Sequence, residues 1–269
     1  MEKVLTIAGS DSLAGGGIQA DLKTFEELDV FGVSALTTIV SIATEKLLIH
    51  QVPPVVIEEQ LDSIFNNIKI EYLKTGLIGD LATLKLVTKK LQQYPFMKVV
   101  LDPVMVFKEA QTDIKADYLT FFRKEFLPLA YVVTPNLAEA AQLSGMSSIK
   151  SRKDIQQSAL KIQNLGCQNV VIKGGSRLAG DLAIDYAKLG TQEYWLESPK
   201  VIQQTIDGAG CTFSAAITAQ LAKGDSLISA IRFAKKFVYL GIADGVAVNS
   251  RLGNIWQGAY RQRRLNDEN

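Results

Sequence analysis

Histidine and cysteine are nearly absent from this 269-residue chain, which has one His and two Cys. Cys167 and Cys211 cannot build a disulfide framework, and with His50 alone beside them they lack zinc-ligand spacing. Disulfide-stapled folds and structural zinc modules are excluded, and a reducing, cytoplasmic setting is expected. Charge of one sign is missing too: 29 Lys+Arg stand against 28 Asp+Glu, a net +1. That balance offers no broad cationic face to nucleic acid or an anionic membrane. No run approaches the ~20 apolar residues that span a bilayer. The apolar stretch Val4–Ile7 after Met1-Glu2-Lys3 is too short for a signal peptide. Pro- or Ser-rich linkers, charge blocks and repeats are also lacking. What remains is 47% hydrophobic and 21% charged, ample for one large core. A single soluble domain over residues 1–269 is expected.

Short β-branched runs alternate with helical patterns along the chain. Val4–Ile7, Ala35–Val40, Leu73–Leu77, Val99–Leu101, Tyr131–Thr134 and Val170–Lys173 read as parallel strands buried on both faces. Between them, Ile57, Leu61, Ile64 and Ile68, then Leu84, Val87 and Leu91, follow helical spacing. Leu182–Tyr186 and Glu193–Leu196 read as an antiparallel edge hairpin. Phe213, Ile217 and Leu221 form the stripe of a helix ending at Gly224, and Ser226 caps the next. The polar tail after Tyr260 is expected to fray. The fold class is α/β: a mainly parallel sheet, helices on both faces, and a small antiparallel edge hairpin.

In such folds ligands bind beyond the carboxyl ends of the strands, and chemistry concentrates there. Asp207-Gly208-Ala209-Gly210-Cys211-Thr212 opens a helix with small residues, so several N–H groups can converge at the positive end of its dipole. Cys211 falls in the first turn, where a thiol is expected to ionise more easily than in water. An anion cradle beside a proton acceptor points to phosphoryl transfer onto a hydroxyl. Ser10, Asp11, Gly15, Gly16, Gly17 and Asp21 follow the first strand in neither the dinucleotide nor the Walker spacing. They suit a close backbone approach to a ligand, or a turn with a capping Asp. Asp102, Asn136 and Glu139 follow two more strands and together could orient a hydrated Mg²⁺, although Glu139 alone is also an ordinary first-turn charge. Lys173-Gly174-Gly175 suits a nucleotide phosphate, or a solvated edge charge. His50 is a candidate substrate contact, and Cys167 reads as a small buried hydrophobe.

In their order over nearly the whole chain these stretches resemble the ribokinase-like small-molecule kinases, in the branch of hydroxymethylpyrimidine (phosphate) kinases and Gram-positive-type pyridoxal kinases. They are Ala8–Asp11, Gly16–Phe25, Lys74–Gly76, Asp102–Met105, Thr134–Ala140, Lys173–Gly175 and Gly208–Thr212. The resemblance implies a ribokinase-like three-layer sandwich and an ATP-dependent kinase, commonly homodimeric, acting on a hydroxymethyl group of a small aromatic ring. It places Ser10, Asp11, Gly17 and Asp21 at the substrate and Asp102 and Glu139 at Mg²⁺. It gives Asn136, Lys173, Gly174 and Thr212 to ATP, Gly208, Ala209 and Gly210 to the anion hole, and the role of base to Cys211. Ile42 stands where the pyrimidine kinases usually carry a ring-reading Gln, and His50 matches a His of the pyridoxal kinases. Phe107 replaces a lid Cys of those enzymes, and Asp207 replaces a common His and could share the base role. Pyridoxal or pyridoxine is the expected substrate. Hydroxymethylpyrimidine or its phosphate is the alternative, and a non-catalytic vitamin- or nucleotide-binding protein is a third reading.

Overall fold

Strand residues here point alternately to two different helix layers, and that alternation sets the architecture. The computed structural model describes residues 1–43, 46–105, 116–203 and 205–267. Phe107 lies outside them. A nine-stranded sheet has the order β3-β2-β1-β4-β5-β6-β7-β8-β9. Its strands are β1 (Lys3–Asp11), β2 (Phe31–Ala43), β3 (Lys46–Gln51), β4 (Tyr72–Thr75) and β5 (Lys98–Leu101), then β6 (Ala130–Val133), β7 (Asn169–Lys173), β8 (Leu182–Leu189) and β9 (Gln192–Pro199). The run from β2 to β7 is parallel, while β3 at one edge and β8–β9 at the other are antiparallel. The expected edge hairpin is present. β3 is an addition, folding back on β2 with Ile42 opposite Leu47 and Ile39 opposite His50.

On one face Leu5, Ile7, Leu73, Val99, Leu101, Val133, Val170 and Ile172 pack against α2 (Pro54–Asn67), α3 (Leu81–Gln92), α5 (Leu137–Ser144) and α6 (Arg152–Gln163). A short helix, α4 (Ala116–Phe121), precedes β6. On the other face Val4, Val100, Val132 and Val171 meet α1 (Gly17–Glu27), α7 (Ala209–Ala222) and α8 (Leu227–Ala243). Period-two alternation in fully buried strands accounts for both layers, each apolar side chain contributing about 1.5–3 kcal/mol on burial.

α7 departs from the expected single stripe. Every residue from Thr212 to Ala222 is buried, because Ala215, Ala216 and Ala219 let it lie close to the sheet, α1 and α8 at once. Its end matches expectation in kind, with Lys223 as C-cap and Gly224 at φ +96°. Ser226 caps α8 by accepting from the Ser229 N–H. The tail is a correction: Ala259–Asp267 form α9, where Arg261 pairs with Glu27 and Arg263 grips the Asp244 carboxylate with two hydrogen bonds of 2.6 and 2.7 Å. A two-stranded ladder, β10 (Val246–Ala247) with β11 (Gly253–Asn254), completes the described residues, none of whose helices is long and apolar enough to cross a membrane.

Candidate active site

The turn after β1 is folded by its own aspartate. Asp11 accepts from the N–H groups of Leu13, Gly15 and Gly16 at 2.9–3.0 Å, so both its oxygens are engaged by backbone. Gln19 ties the same turn to Ser10 at 2.6 Å and to the Asp11 N–H at 3.0 Å. Gly17 has φ +62°, and a Cβ there would lie 2.2 Å from the Gly9 carbonyl oxygen. Only glycine starts α1 in this way.

Against this turn lies the start of α7. Gly208, at φ +86°, is its N-cap, and a Cβ on it would lie 1.7 Å from the Gly15 carbonyl oxygen. Two loops distant in sequence thus touch backbone to backbone. Residues 253–255 hold them in register: Asp207 N–H donates to the Gly253 carbonyl, Ile255 N–H to the Asp207 carbonyl, and the Asn254 side chain to the Leu13 carbonyl at 2.8 Å. No side chain caps α7, and its first turn carries no acid. The N–H groups of Gly210 and Cys211 make no hydrogen bond among the described residues. They point where an anion would complete them.

The Cys211 sulfur also sits at the head of α1, where a Cβ on Gly16 would lie 3.6 Å from it. Two helix N-termini therefore meet at one thiol. Its expected easy ionisation is nevertheless overturned. Burial pushes the thiol up to about 11; Lys74 opposes this, while Asp21 and Asp102 reinforce it. Desolvation outweighs the local helix effect.

Beside the start of α7, Lys173 donates to Asp102 at 2.6 Å, and the Ser214 hydroxyl lies 3.0 Å from the other Asp102 oxygen. A side chain at Gly210 would lie 3.3 Å from the Lys173 ammonium, so the bare backbone lets that cation lie close against the start of α7. Asn136 and Glu139 form a capping box on α5: Asn136 accepts from Ala138 and Glu139 N–H, and Glu139 accepts from Asn136 N–H at 2.7 Å. Burial raises the Glu139 carboxyl to about 7; Lys173 opposes the shift and Asp102 adds to it. Among the described residues no cluster of three or more metal-type ligands occurs. Two carboxylates flanking one lysine still suit Mg²⁺, which takes most of its ligands from water and phosphate.

Three residues lie differently from expectation. Thr212 is fully buried with its hydroxyl accepting from Gln257 at 3.0 Å, so its side chain faces the interior, because α7 has no solvent face there. Asp21 is also fully buried, beneath the site, paired with Lys74 at 2.9 Å and accepting from Thr6 at 2.6 Å. Gly174 serves packing, since a Cβ on it would lie 2.2 Å from the Ile184 carbonyl oxygen. Ile42 and His50 are exposed on the β2–β3 hairpin. Asp11 pairs with Val40, so the hairpin runs on past the carboxyl end of β1. Sequence reasoning missed the roles of Lys74, Ser214 and Asn254. A lysine inside an otherwise apolar strand was the available signal for Lys74.

The family model described as phosphomethylpyrimidine kinase matches residues 11–256. A pyridoxine kinase of Bacillus subtilis is 42% identical over 264 residues, with 97% of each chain covered. The hydroxymethylpyrimidine/phosphomethylpyrimidine kinase of the same organism is 36% identical over 267 residues, covering 98% of this chain and 97% of the relative. The solved structure of Staphylococcus aureus pyridoxal kinase with AMP-PCP and pyridoxal superposes with a TM-score of 0.90 at 39% identity, covering 97% of this chain and 95% of that one.

Proposed function

Because the chain belongs to the phosphomethylpyrimidine kinase family, we propose that it transfers the γ-phosphoryl group of ATP to the 5′-hydroxymethyl oxygen of pyridoxal or pyridoxine. The observation that carries this is the uncapped start of α7, with two free N–H groups and a thiol at one spot. Phosphoryl transfer has a loose transition state, so positioning and neutralisation of charge matter more than a strong base. Gly210 and Cys211 N–H groups would take the oxygens of the group in flight. Lys173, held by Asp102, would sit against the nucleotide phosphates next to Asn136. Asp102 and Glu139 would hold a hydrated Mg²⁺, which supplies neutralising charge to the phosphates when bound.

The substrate hydroxyl would lie over Cys211, with the turn from Ser10 to Gly17 against the ring and Ile42 and His50 reaching it from the hairpin. Cys211 rests as a thiol, and its reactive form must be reached against burial. A late proton acceptor is all that a loose transition state demands. Asp207, one residue before Gly208, is the other acceptor within the same turn. The match to the pyrimidine kinases supports a second reading, phosphorylation of hydroxymethylpyrimidine or its monophosphate. A cytoplasmic homodimer completes the proposal.

The test is a coupled ADP-release assay with Mg·ATP against pyridoxal, pyridoxine and hydroxymethylpyrimidine. A B6 vitamer should give kcat/KM at least ~10-fold above the pyrimidine, a preference of about 1.4 kcal/mol in transition-state binding. The reverse order would select the pyrimidine reading. No turnover of any of the three would refute both.

A further inference from the structure

Lys173 has a carboxylate as its nearest cross-strand neighbour and does not pair with it. In the antiparallel ladder of β7 and β8, Lys173 stands directly opposite Asp185. Residues so placed share one face of the sheet with Cβ atoms about 4.5–5.5 Å apart, and opposite charges there ordinarily attract. Lys173 turns instead to Asp102 at 2.6 Å and lies against Gly210 at the start of α7. Asp185 is buried, and both of its oxygens are taken. One accepts from the Gly175 N–H at 3.0 Å, and the other accepts from Lys235 on α8 at 2.8 Å. Lys235 also donates to the Ala183 carbonyl at 3.1 Å, and the two side chains of the pair are only 11% and 9% exposed. Gly175, at φ +52°, accepts in turn from the Ile184 N–H at 2.9 Å. The turn that begins just after Lys173 is therefore fastened to β8 by a side chain and by backbone, with α8 behind them. A buried ion pair is rarely the most stabilising choice, since apolar residues of similar volume often do as well. The place of this one beside Lys173 gives it a use.

We propose that Asp185 and Lys235 are positioning residues for Lys173: Lys235 neutralises the carboxylate opposite Lys173 and so leaves that cation to Asp102 and the nucleotide phosphates. The inference rests on the reading of Lys173 as the phosphate cation. The chain of contacts is continuous, from Lys235 to Asp185, from Asp185 to Gly175 and across the ladder to Lys173. Without Lys235, a bare carboxylate would compete with Asp102 and with the nucleotide for Lys173. In a layer this dry it would also repel incoming phosphates over a few ångströms. A purely structural pair would behave otherwise. Loss of Lys235 would loosen the turn, and removing the Asp185 charge as well would not restore it.

That rescue is the test. Calorimetric titration with Mg·ADP, on the whole protein without vitamin, is run for the wild type, Lys235→Met and Lys235→Met/Asp185→Asn. Lys235→Met should weaken Mg·ADP by about fivefold or more, as expected when a nearly buried carboxylate loses its partner. The double variant is uncharged at both positions, and its asparagine can still accept from the Gly175 N–H. It should recover at least half of that loss on a logarithmic scale. If Lys235→Met fails to fold, Lys235→Gln, which keeps a polar head beside the two acceptors, replaces it in both variants. A smaller loss in the single variant, or a smaller recovery in the double, would overturn the proposal. Lys173→Met serves as the control: binding as tight as wild type would remove the phosphate reading itself, and the inference with it.

Discussion

Two helices begin at the same edge of the sheet and are finished in opposite ways. α5 largely closes its own N-terminus: Asn136 accepts from Ala138 and Glu139 N–H, and Glu139 accepts from Asn136 N–H. α7 closes nothing, since Gly208 has no side chain and Gly210 and Cys211 N–H groups stay open. A capping box stabilises a helix by about 1 kcal/mol. α7 forgoes that contribution where it would be easiest to make, and its burial on every side carries the helix instead. Open donors beside Lys173, which Asp102 holds at 2.6 Å, suit a moving negative charge. The closed end at α5 supplies the Glu139 carboxylate.

Filling the open end should break this contrast most severely. Gly208→Ala forces a Cβ into the Gly15 carbonyl and strains a positive φ. We expect kcat/KM to fall by about 10²–10³, as when an oxyanion-hole donor is lost, together with a loss of roughly 1–3 kcal/mol of stability. Steady-state kinetics and urea unfolding would measure both, and near-normal kcat/KM would remove the hole from catalysis. Cys211→Ala keeps the donors and deletes the acceptor. Its kcat should fall by roughly 10² to 10⁴, and an unchanged value would pass the role to Asp207 or leave it empty.

The closed end should respond in stability. Glu139 titrates at about 7 in the folded protein against an ordinary 4.5, so its ionisation works against folding. The protein keeps full stability from this group below about pH 4.5 and loses it as pH rises to about 7, by roughly 3 kcal/mol at 1.36 kcal/mol per unit. Glu139→Gln should therefore gain stability relative to wild type between pH 5 and pH 8 in nucleotide-free protein. A constant difference across that range would contradict the raised value. Asn136→Ala should cost about 0.5–2 kcal/mol by thermal or urea unfolding, and no cost would mean the box is idle.

Much of this was legible in sequence wherever the signal was local. Val4–Ile7, Val99–Leu101 and the Gly208–Gly210 turn declared themselves by apolar runs and small residues, and the strand-end rule led from them to Asp102, Asn136 and Lys173. What was not legible depended on partners far along the chain. Asn254 reaches Leu13 across 241 positions, and no pattern near either residue announces it. The Cys211 thiol was expected to ionise readily from its helix alone, whereas the surrounding layer reverses the direction. The tail after Tyr260 looked free because its arginines find Glu27 and Asp244 only in the folded protein.

Amide proton shifts test the central claim most directly. The protein would be titrated with Mg·ADP–aluminium fluoride, a mimic of the phosphoryl group in flight, in the presence of pyridoxine. Gly210 and Cys211 amide protons should move downfield as they gain charge-assisted hydrogen bonds, while those of Ala138 and Glu139, already donating to Asn136, should move less. Unmoved Gly210 and Cys211 resonances in a saturated complex would contradict the assignment of the start of α7 as the anion hole.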